Sequence, residues 1–207
     1  MNAVAKLAGC ACLSALLTLG SAPVFAAQPV LSDPLAAWPL NFGAQTSSIS
    51  LKNGAVHITV PANSASWTTY SGFNFTDMDA SVTVTPENAT GNAAGLLFWA
   101  TGPSDFFDFT ISDTAGTFGV FKHVSTAASP WQTIVPYMKT SLLKPGAANV
   151  LRVVTKGNYV TLYINGQQAG SLSVMAPSGG GTVGIEGEGS AKGPSDYAFT
   201  NLTVSQP

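Results

Sequence analysis

Hydrophobic and polar residues alternate most regularly between positions 159 and 165. Every second residue there is aliphatic (Val160, Leu162 and Ile164), and polar or aromatic residues fill the positions between them. Successive side chains of a β-strand point to opposite faces, so this pattern predicts a strand with one buried face and one polar, aromatic face. The pairs Gly157-Asn158 and Asn165-Gly166 flank the strand and tolerate the positive φ of tight hairpin turns. The segment from 149 to 189 is therefore predicted to be a β-meander.

Comparable short runs occupy most of the remaining chain. A hairpin is predicted around Asn53-Gly54, whereas residues 129–141 are ambiguous. No helix of useful length is predicted. About a dozen short strands separated by turn residues are typical of an all-β fold, here a two-sheet antiparallel jelly-roll sandwich. The predicted core residues are Leu151, Val153, Val160, Leu162, Ile164, Ile185 and Phe199.

The first 26 residues have the pattern of a secretory signal peptide. Lys6 precedes an apolar run over 7–19, and small residues then lead to a cleavage site after Ala26. The run is too short to span a bilayer. Leu7–Cys10 spells a lipobox, but the cysteine precedes the apolar run instead of following it. We therefore expect cleavage, a single domain over 27–207 without cysteine, and a periplasmic or extracellular location.

Charge and motifs exclude several classes of function. Charged residues make up 9% of the chain, the formal net charge is −2, and no basic cluster occurs, so nucleic acid is not an expected partner. His57 and His123 each lack a second histidine at metal-ligand spacing, so no metal site is predicted. The chain also lacks a nucleophile elbow and a phosphate-binding loop, and no cofactor is expected.

Seven segments share a pattern of turns and core positions: 149–153, 157–166, 184–185, 199–202, 95–99, 105–109 and 119–122. Together they resemble bacterial concanavalin A-like jelly rolls, which include laminin-G-like domains and the 3-keto-disaccharide hydrolase group. The resemblance implies a two-sheet sandwich with a concave face and carbohydrate as the ligand class. The strand motif Glu-x-Asp-x-x-Glu of the related glucanases is absent, and Glu186-Gly187-Glu188 is the nearest sequence to it.

Carboxylates are the candidates for chemistry. Glu186 and Glu188, two residues apart on a predicted strand, share one face at a backbone spacing of roughly 6.5–7 Å. Asp108 faces outward if Phe107 and Phe109 face the core, and inward if Phe106 does. A glycosidase would use Glu186 together with Glu188 or Asp108, because both glycosidase mechanisms need two carboxyl groups.

A sugar-binding face is the favoured functional prediction. Arg152, Tyr163 and Glu186 each alternate away from a predicted core residue, and Trp99 and Asp108 are expected to join them from neighbouring strands. Flat aromatic rings and a few hydrogen-bonding groups suffice to bind sugars. We therefore predict a secreted carbohydrate-binding or carbohydrate-associated protein. The alternatives are the glycosidase and a structural protein of the cell envelope.

Overall fold

The structure is a computed structural model that describes residues 29–89 and 93–207. The predicted signal peptide and Cys10 lie outside the described residues. Within these ranges the chain forms strands joined by turns, with a single 3₁₀ turn at Leu40–Phe42 and no helix long and apolar enough to cross a membrane. The strands are β1 Pro29–Asp33, β2 Ile49–Lys52, β3 Ala55–Val60, β4 Ser64–Thr69, β5 Asp79–Ala89, β6 Ala93–Gly102, β7 Asp105–Ser112, β8 Thr117–Val124, β9 Trp131–Lys139, β10 Asn149–Lys156, β11 Tyr159–Ile164, β12 Gln167–Ser173, β13 Thr182–Gly189 and β14 Ser195–Ser205.

The strands form two antiparallel sheets. The first sheet has the order β12-β11-β10-β5-β14-β3-β2, and β1 also pairs with β14. The second sheet has the order β4-β13-β6-β7-β8-β9. Side chains from one face of each sheet meet in a common core, which confirms the predicted all-β, two-sheet sandwich.

The predicted hairpins form around their Asn-Gly turns. Asn165 and Gly166 have φ values of 53° and 79°, and Asn53 and Gly54 have 52° and 74°. Positive φ at both central turn residues matches the twist of the flanking strands, which is why Asn-Gly favours these connections. Residues 129–141, ambiguous in sequence, contain β9 at the edge of the second sheet.

The predicted core residues are buried between the sheets. All seven are at most 1% exposed, and they belong to one hydrophobic cluster with Phe98, Phe107 and Phe109 from the second sheet. Burial of a large aliphatic or aromatic side chain contributes about 1.5–3 kcal/mol. In a mature chain that is expected to lack disulfides, this cluster is the main source of stability.

Trp99 lies in the core, so its predicted place on a ligand-binding face is wrong. The pairing of β6 with β7 shifts register after Phe98, and Trp99 adopts a φ of 48° at this irregularity. A β-bulge breaks the alternation of side chains, which allows Phe98 and Trp99 both to face the core. The Trp99 indole donates a hydrogen bond to the Thr76 carbonyl at 3.1 Å. A Cβ at position 181 would overlap the Trp99 backbone, so Gly181 permits this close packing.

Candidate functional site

Three carboxylates meet on the outer face of the second sheet. Ile185 faces the core. Glu186 and Glu188 lie one and three positions further along β13, so they project from the opposite side of the strand. Phe107 and Phe109 likewise face the core and direct Asp108 outward from β7. One carboxylate oxygen from each of the three acidic residues lies within 4.8 Å of the others. We call Asp108, Glu186 and Glu188 the acidic cluster.

Gly95 allows the acidic cluster to form. It lies on β6, between β13 and β7, opposite Glu186 on one side and Thr110 on the other. A Cβ at position 95 would overlap the Asp108 carboxylate. The missing side chain therefore leaves the space through which Asp108 extends across β6 toward β13.

Asp108 and Glu186 are fully buried, and none of their four carboxylate oxygens has a hydrogen-bond partner in the described chain. Burial and then the charge of Glu188 raise the pKa of Asp108 well above its usual range, although its contact with the Glu186 carboxyl group opposes the shift. Burial and the charges of Asp108 and Glu188 raise the pKa of Glu186 in the same way. Ionised carboxylates accept but cannot donate, so contact between them requires a shared proton or a cation.

Glu188 connects the acidic cluster to solvent. It is partly exposed and lines a groove of about 420 Å³. Burial raises the pKa of Glu188, although its contact with the Glu186 carboxyl group acts in the opposite direction. We call this cavity the Glu188 groove, and its other lining residues are Ala93, Ser112, Ala115, Thr117, Tyr137 and Ser190.

Tyr137 supplies the aromatic ring of the Glu188 groove. Its side chain is 44% exposed and packs against Phe121 with ring centroids 5.1 Å apart. Burial and the charge of Glu188 raise the pKa of Tyr137, although the nearby Thr110 hydroxyl opposes the shift. The hydroxyl therefore remains protonated at neutral pH. The groove combines one aromatic ring, several hydroxyl groups and a carboxylate.

Four aromatic side chains pack together on the same outer face. Trp67 is the register partner of Glu186 across β4 and β13, and its indole donates to the Pro103 carbonyl at 2.8 Å. Trp67 and Trp131 are both partly buried, with ring centroids 6.1 Å apart. Phe106 and His123 complete this aromatic cluster and stack at 5.4 Å. The sequence pattern did not mark Trp131 or Tyr137 as site residues, because register shifts between β8 and β9 interrupt the alternation of β9.

Arg152 and Tyr163 lie on the other sheet, so the prediction that they share a face with Glu186 is wrong. They occupy β10 and β11 of the first sheet, where they are direct register partners. Arg152 forms two hydrogen bonds of 2.6 Å with Asp79 and lies 4.9 Å from the centre of the Tyr163 ring. These contacts hold the Arg152 guanidinium against other side chains of the first sheet. Of the six predicted ligand residues, Asp108, Glu186 and Glu188 are brought together.

The two histidines lie in separate structural contexts. His57 on the first sheet donates a hydrogen bond to Asp196 at 2.8 Å, and Lys52 pairs with the same carboxylate at 3.3 Å. His123 on the second sheet belongs to the aromatic cluster, and its Nδ1 lies 2.6 Å from the Ser104 carbonyl. Each histidine has a local packing and hydrogen-bonding role.

Solved structures identify the fold. A carbohydrate-binding module from Bacillus subtilis superposes with a TM-score of 0.63 at 13% identity, covering 78% of this chain and 92% of that chain. The laminarinase catalytic domain from Thermotoga maritima gives 0.61 at 11% identity, with coverage of 87% and 98%. The fold is concanavalin A-like. The β-glucanase from Bacillus licheniformis, at 0.58 and 8% identity, covers 86% of this chain and 98% of its own.

Sequence comparison adds no narrower assignment, because no protein-family model and no curated protein sequence matches the chain. Proteins with this fold include a carbohydrate-binding module, a carbohydrate recognition domain and glucanases. Since one fold supports several functions, the function has to be argued from the side chains on the second sheet.

Proposed function

We propose that this protein is an exported carbohydrate-binding protein and that it binds a glycan in the Glu188 groove. The observation that carries the proposal is the combination of the exposed Tyr137 ring with Glu188 and three hydroxyl residues around one cavity. Sugar rings present flat apolar faces to aromatic side chains and hydroxyl groups to acceptors and donors. A groove of this composition matches both features.

The composition and size of the groove support a neutral oligosaccharide. The described residues that line the groove include no lysine, arginine or histidine that could pair with an acidic sugar. A volume of about 420 Å³ falls within the range typical of small-ligand sites. A carbohydrate-binding module and a carbohydrate recognition domain among the structural neighbours support the same ligand class.

A glycan array with the purified protein tests the proposal. We expect binding to one or more neutral glycans, and Glu188→Gln to weaken it at least tenfold, because a hydrogen bond to a charged acceptor contributes about 1.5–3 kcal/mol. Glu87→Gln makes the same chemical change at an exposed position of the first sheet and should leave binding unchanged. Equal binding by wild type and Glu188→Gln would contradict the assignment of the groove.

A glycoside hydrolase is the second candidate, and the acidic cluster favours it. Its carboxylate oxygens lie within 4.8 Å of one another, near the roughly 5 Å separation of retaining glycosidases. The raised pKa of Glu188 suits a general acid. The resemblance to the 3-keto-disaccharide hydrolase group supports the same reading. However, Asp108 and Glu186 expose no surface to a substrate, so the geometry favours binding over catalysis.

A screen of glycoside substrates separates these functions. Turnover by the wild type that disappears in both Glu186→Gln and Glu188→Gln would establish the hydrolase. Glycan binding without turnover supports the binding protein. A structural protein of the cell envelope, the third reading, would show neither binding nor turnover.

A further inference from the structure

We propose that Asp108, Glu186 and Glu188 together bind one hard divalent cation on the outer face of the second sheet. One oxygen from each carboxylate lies within 4.8 Å of the other two. Calcium holds its oxygen ligands at about 2.3–2.6 Å, so ligands on opposite sides of the ion are roughly 5 Å apart. Three such oxygens can therefore contact one ion without a rearrangement of the strands. Carboxylates select hard cations such as Ca²⁺, Mg²⁺ and Mn²⁺.

The burial of unpartnered carboxylates is the independent observation behind the site. Asp108 and Glu186 are fully buried, and their oxygens have no hydrogen-bond donor in the described part of the chain. The ion pairs of the described residues use Asp79 and Asp196, so no lysine, arginine or histidine among them pairs with the acidic cluster. Uncompensated burial of a charge costs several kcal/mol. A bound cation would supply the missing counter-charge.

The surroundings provide a fixed ligand set and a route of entry. Asp108 and Glu186 come from strands that are held in register through β6, and Gly95 leaves the space for Asp108 to extend between them. Glu188 lies at the boundary between the buried carboxylates and the Glu188 groove. An ion can reach the cluster past Glu188, and water in the groove can complete its coordination. The sequence pattern predicts no metal site, because Asp108 lies on a strand far from Glu186 and Glu188 in the chain.

Thermal unfolding of the purified protein tests the site directly. The protein is unfolded at pH 7 in EDTA and then in CaCl₂, MgCl₂ or MnCl₂ at matched ionic strength. With the ion at about 100 times its Kd, we expect the midpoint to rise by about 5–10 °C. Calorimetric titration of the EDTA-treated, desalted protein should give one site per chain. The ion with the largest effect identifies the cation that the site prefers.

Variants assign the effect to the three carboxylates. Asp108→Asn and Glu188→Gln should abolish the shift, while Glu87→Gln should retain it. In EDTA, Asp108→Asn should unfold at a higher temperature than wild type, because it removes a buried carboxylate that lacks a counter-ion. Gly95→Ala displaces the Asp108 carboxylate without changing any charge and should weaken ion binding at least tenfold. Glu188 is partly exposed, so we expect Glu188→Gln to fold like wild type. Its loss of ion binding can then be assigned to the missing carboxylate.

The proposal is overturned if none of the three ions shifts the unfolding midpoint or binds in calorimetry. The acidic cluster would then be neutralised by shared protons. An ion effect that persists in both Asp108→Asn and Glu188→Gln would also overturn it, since the ion would bind elsewhere. The inference does not rest on the proposed function. Ion binding without glycan binding would contradict the glycan proposal alone, and glycan binding without ion binding would contradict this inference alone.

Discussion

Individual side chains on the second sheet show how local geometry creates a site from ordinary strand residues. Asp108 and Glu186 reach each other only because Gly95 leaves room on the intervening strand. The outward direction of Asp108, Glu186 and Glu188 could be predicted from alternation around Phe107, Phe109 and Ile185. The shared face of Glu186 and Glu188 could also be predicted, but the approach of Asp108 to them could not, since it depends on which strands are neighbours and on a missing side chain between them.

Asp196 on the first sheet leads to a prediction about pH. Burial acts to raise its pKa, but the hydrogen bond from His57 and the charge of Lys52 outweigh burial, so the pKa of Asp196 is lowered. A lowered pKa in the folded state stabilises the protein above the usual aspartate pKa, and this stability is lost as the pH falls through the folded value. Asp196→Asn should therefore reduce the free energy of unfolding at pH 7 by about 1 kcal/mol.

Urea unfolding at several pH values measures the Asp196 effect. The difference between wild type and Asp196→Asn should be constant above about pH 5 and should shrink below about pH 4. The comparison with wild type cancels the titration of the other carboxylates. A difference at pH 3 as large as that at pH 7 would contradict the ion-pair explanation.

At the scale of strands, the structure agrees with the sequence pattern where hydrophobic alternation is regular, and it departs from that pattern where strand pairing is irregular. The meander from β10 to β12 has its predicted turns, and Leu151, Val160 and Leu162 are buried as expected. Trp99 was misplaced because a bulge changes the direction of side chains without a sequence signal that alternation can detect. Arg152 and Tyr163 alternate with buried residues on β10 and β11 as the pattern predicts, but the sequence could not show that these strands and Glu186 belong to different sheets.

The β11–β12 turn provides a test at this scale. Gly166 has a φ of 79°, and a Cβ atom at this position would have no other atom within 4 Å. Gly166→Ala therefore introduces backbone strain without a steric clash. We expect a loss of roughly 1–2 kcal/mol in the free energy of unfolding. Gly170→Ala is the control, because Gly170 lies on β12 outside the positive-φ region and its Cβ would meet Phe118 at an ordinary distance of 3.8 Å. An equal effect of both substitutions in urea unfolding would contradict the role of the turn conformation.

At the scale of the whole molecule, the two sheets have different outer surfaces. The first sheet carries the ion pair between Arg152 and Asp79, whereas the second carries the acidic cluster, the aromatic cluster and the Glu188 groove. The common core fixes both sheets and thereby fixes the relative positions of strands β13, β6 and β7. The fold class followed from strand patterning, while the location of the functional face required the order of strands.

Export is a prediction about residues 1–26, which lie outside the described part of the chain. We expect cleavage after Ala26, because small residues follow the apolar run at the spacing of a signal peptidase site. N-terminal sequencing of exported protein should begin at Ala27. Recovery of a protein with a diacylated Cys10 at its N-terminus would instead show a lipoprotein.

The most direct test of the account compares two tyrosines on opposite outer surfaces. Isothermal titration measures the affinity of wild type, Tyr137→Ala and Tyr163→Ala for a glycan identified on the array. Tyr137→Ala should weaken binding at least tenfold, since loss of an aromatic stacking contact costs on the order of 1–1.5 kcal/mol and loss of the hydroxyl adds to it. Tyr163→Ala should bind as tightly as wild type. Unchanged binding by Tyr137→Ala together with lost binding by Tyr163→Ala would contradict the account and place the site on the first sheet.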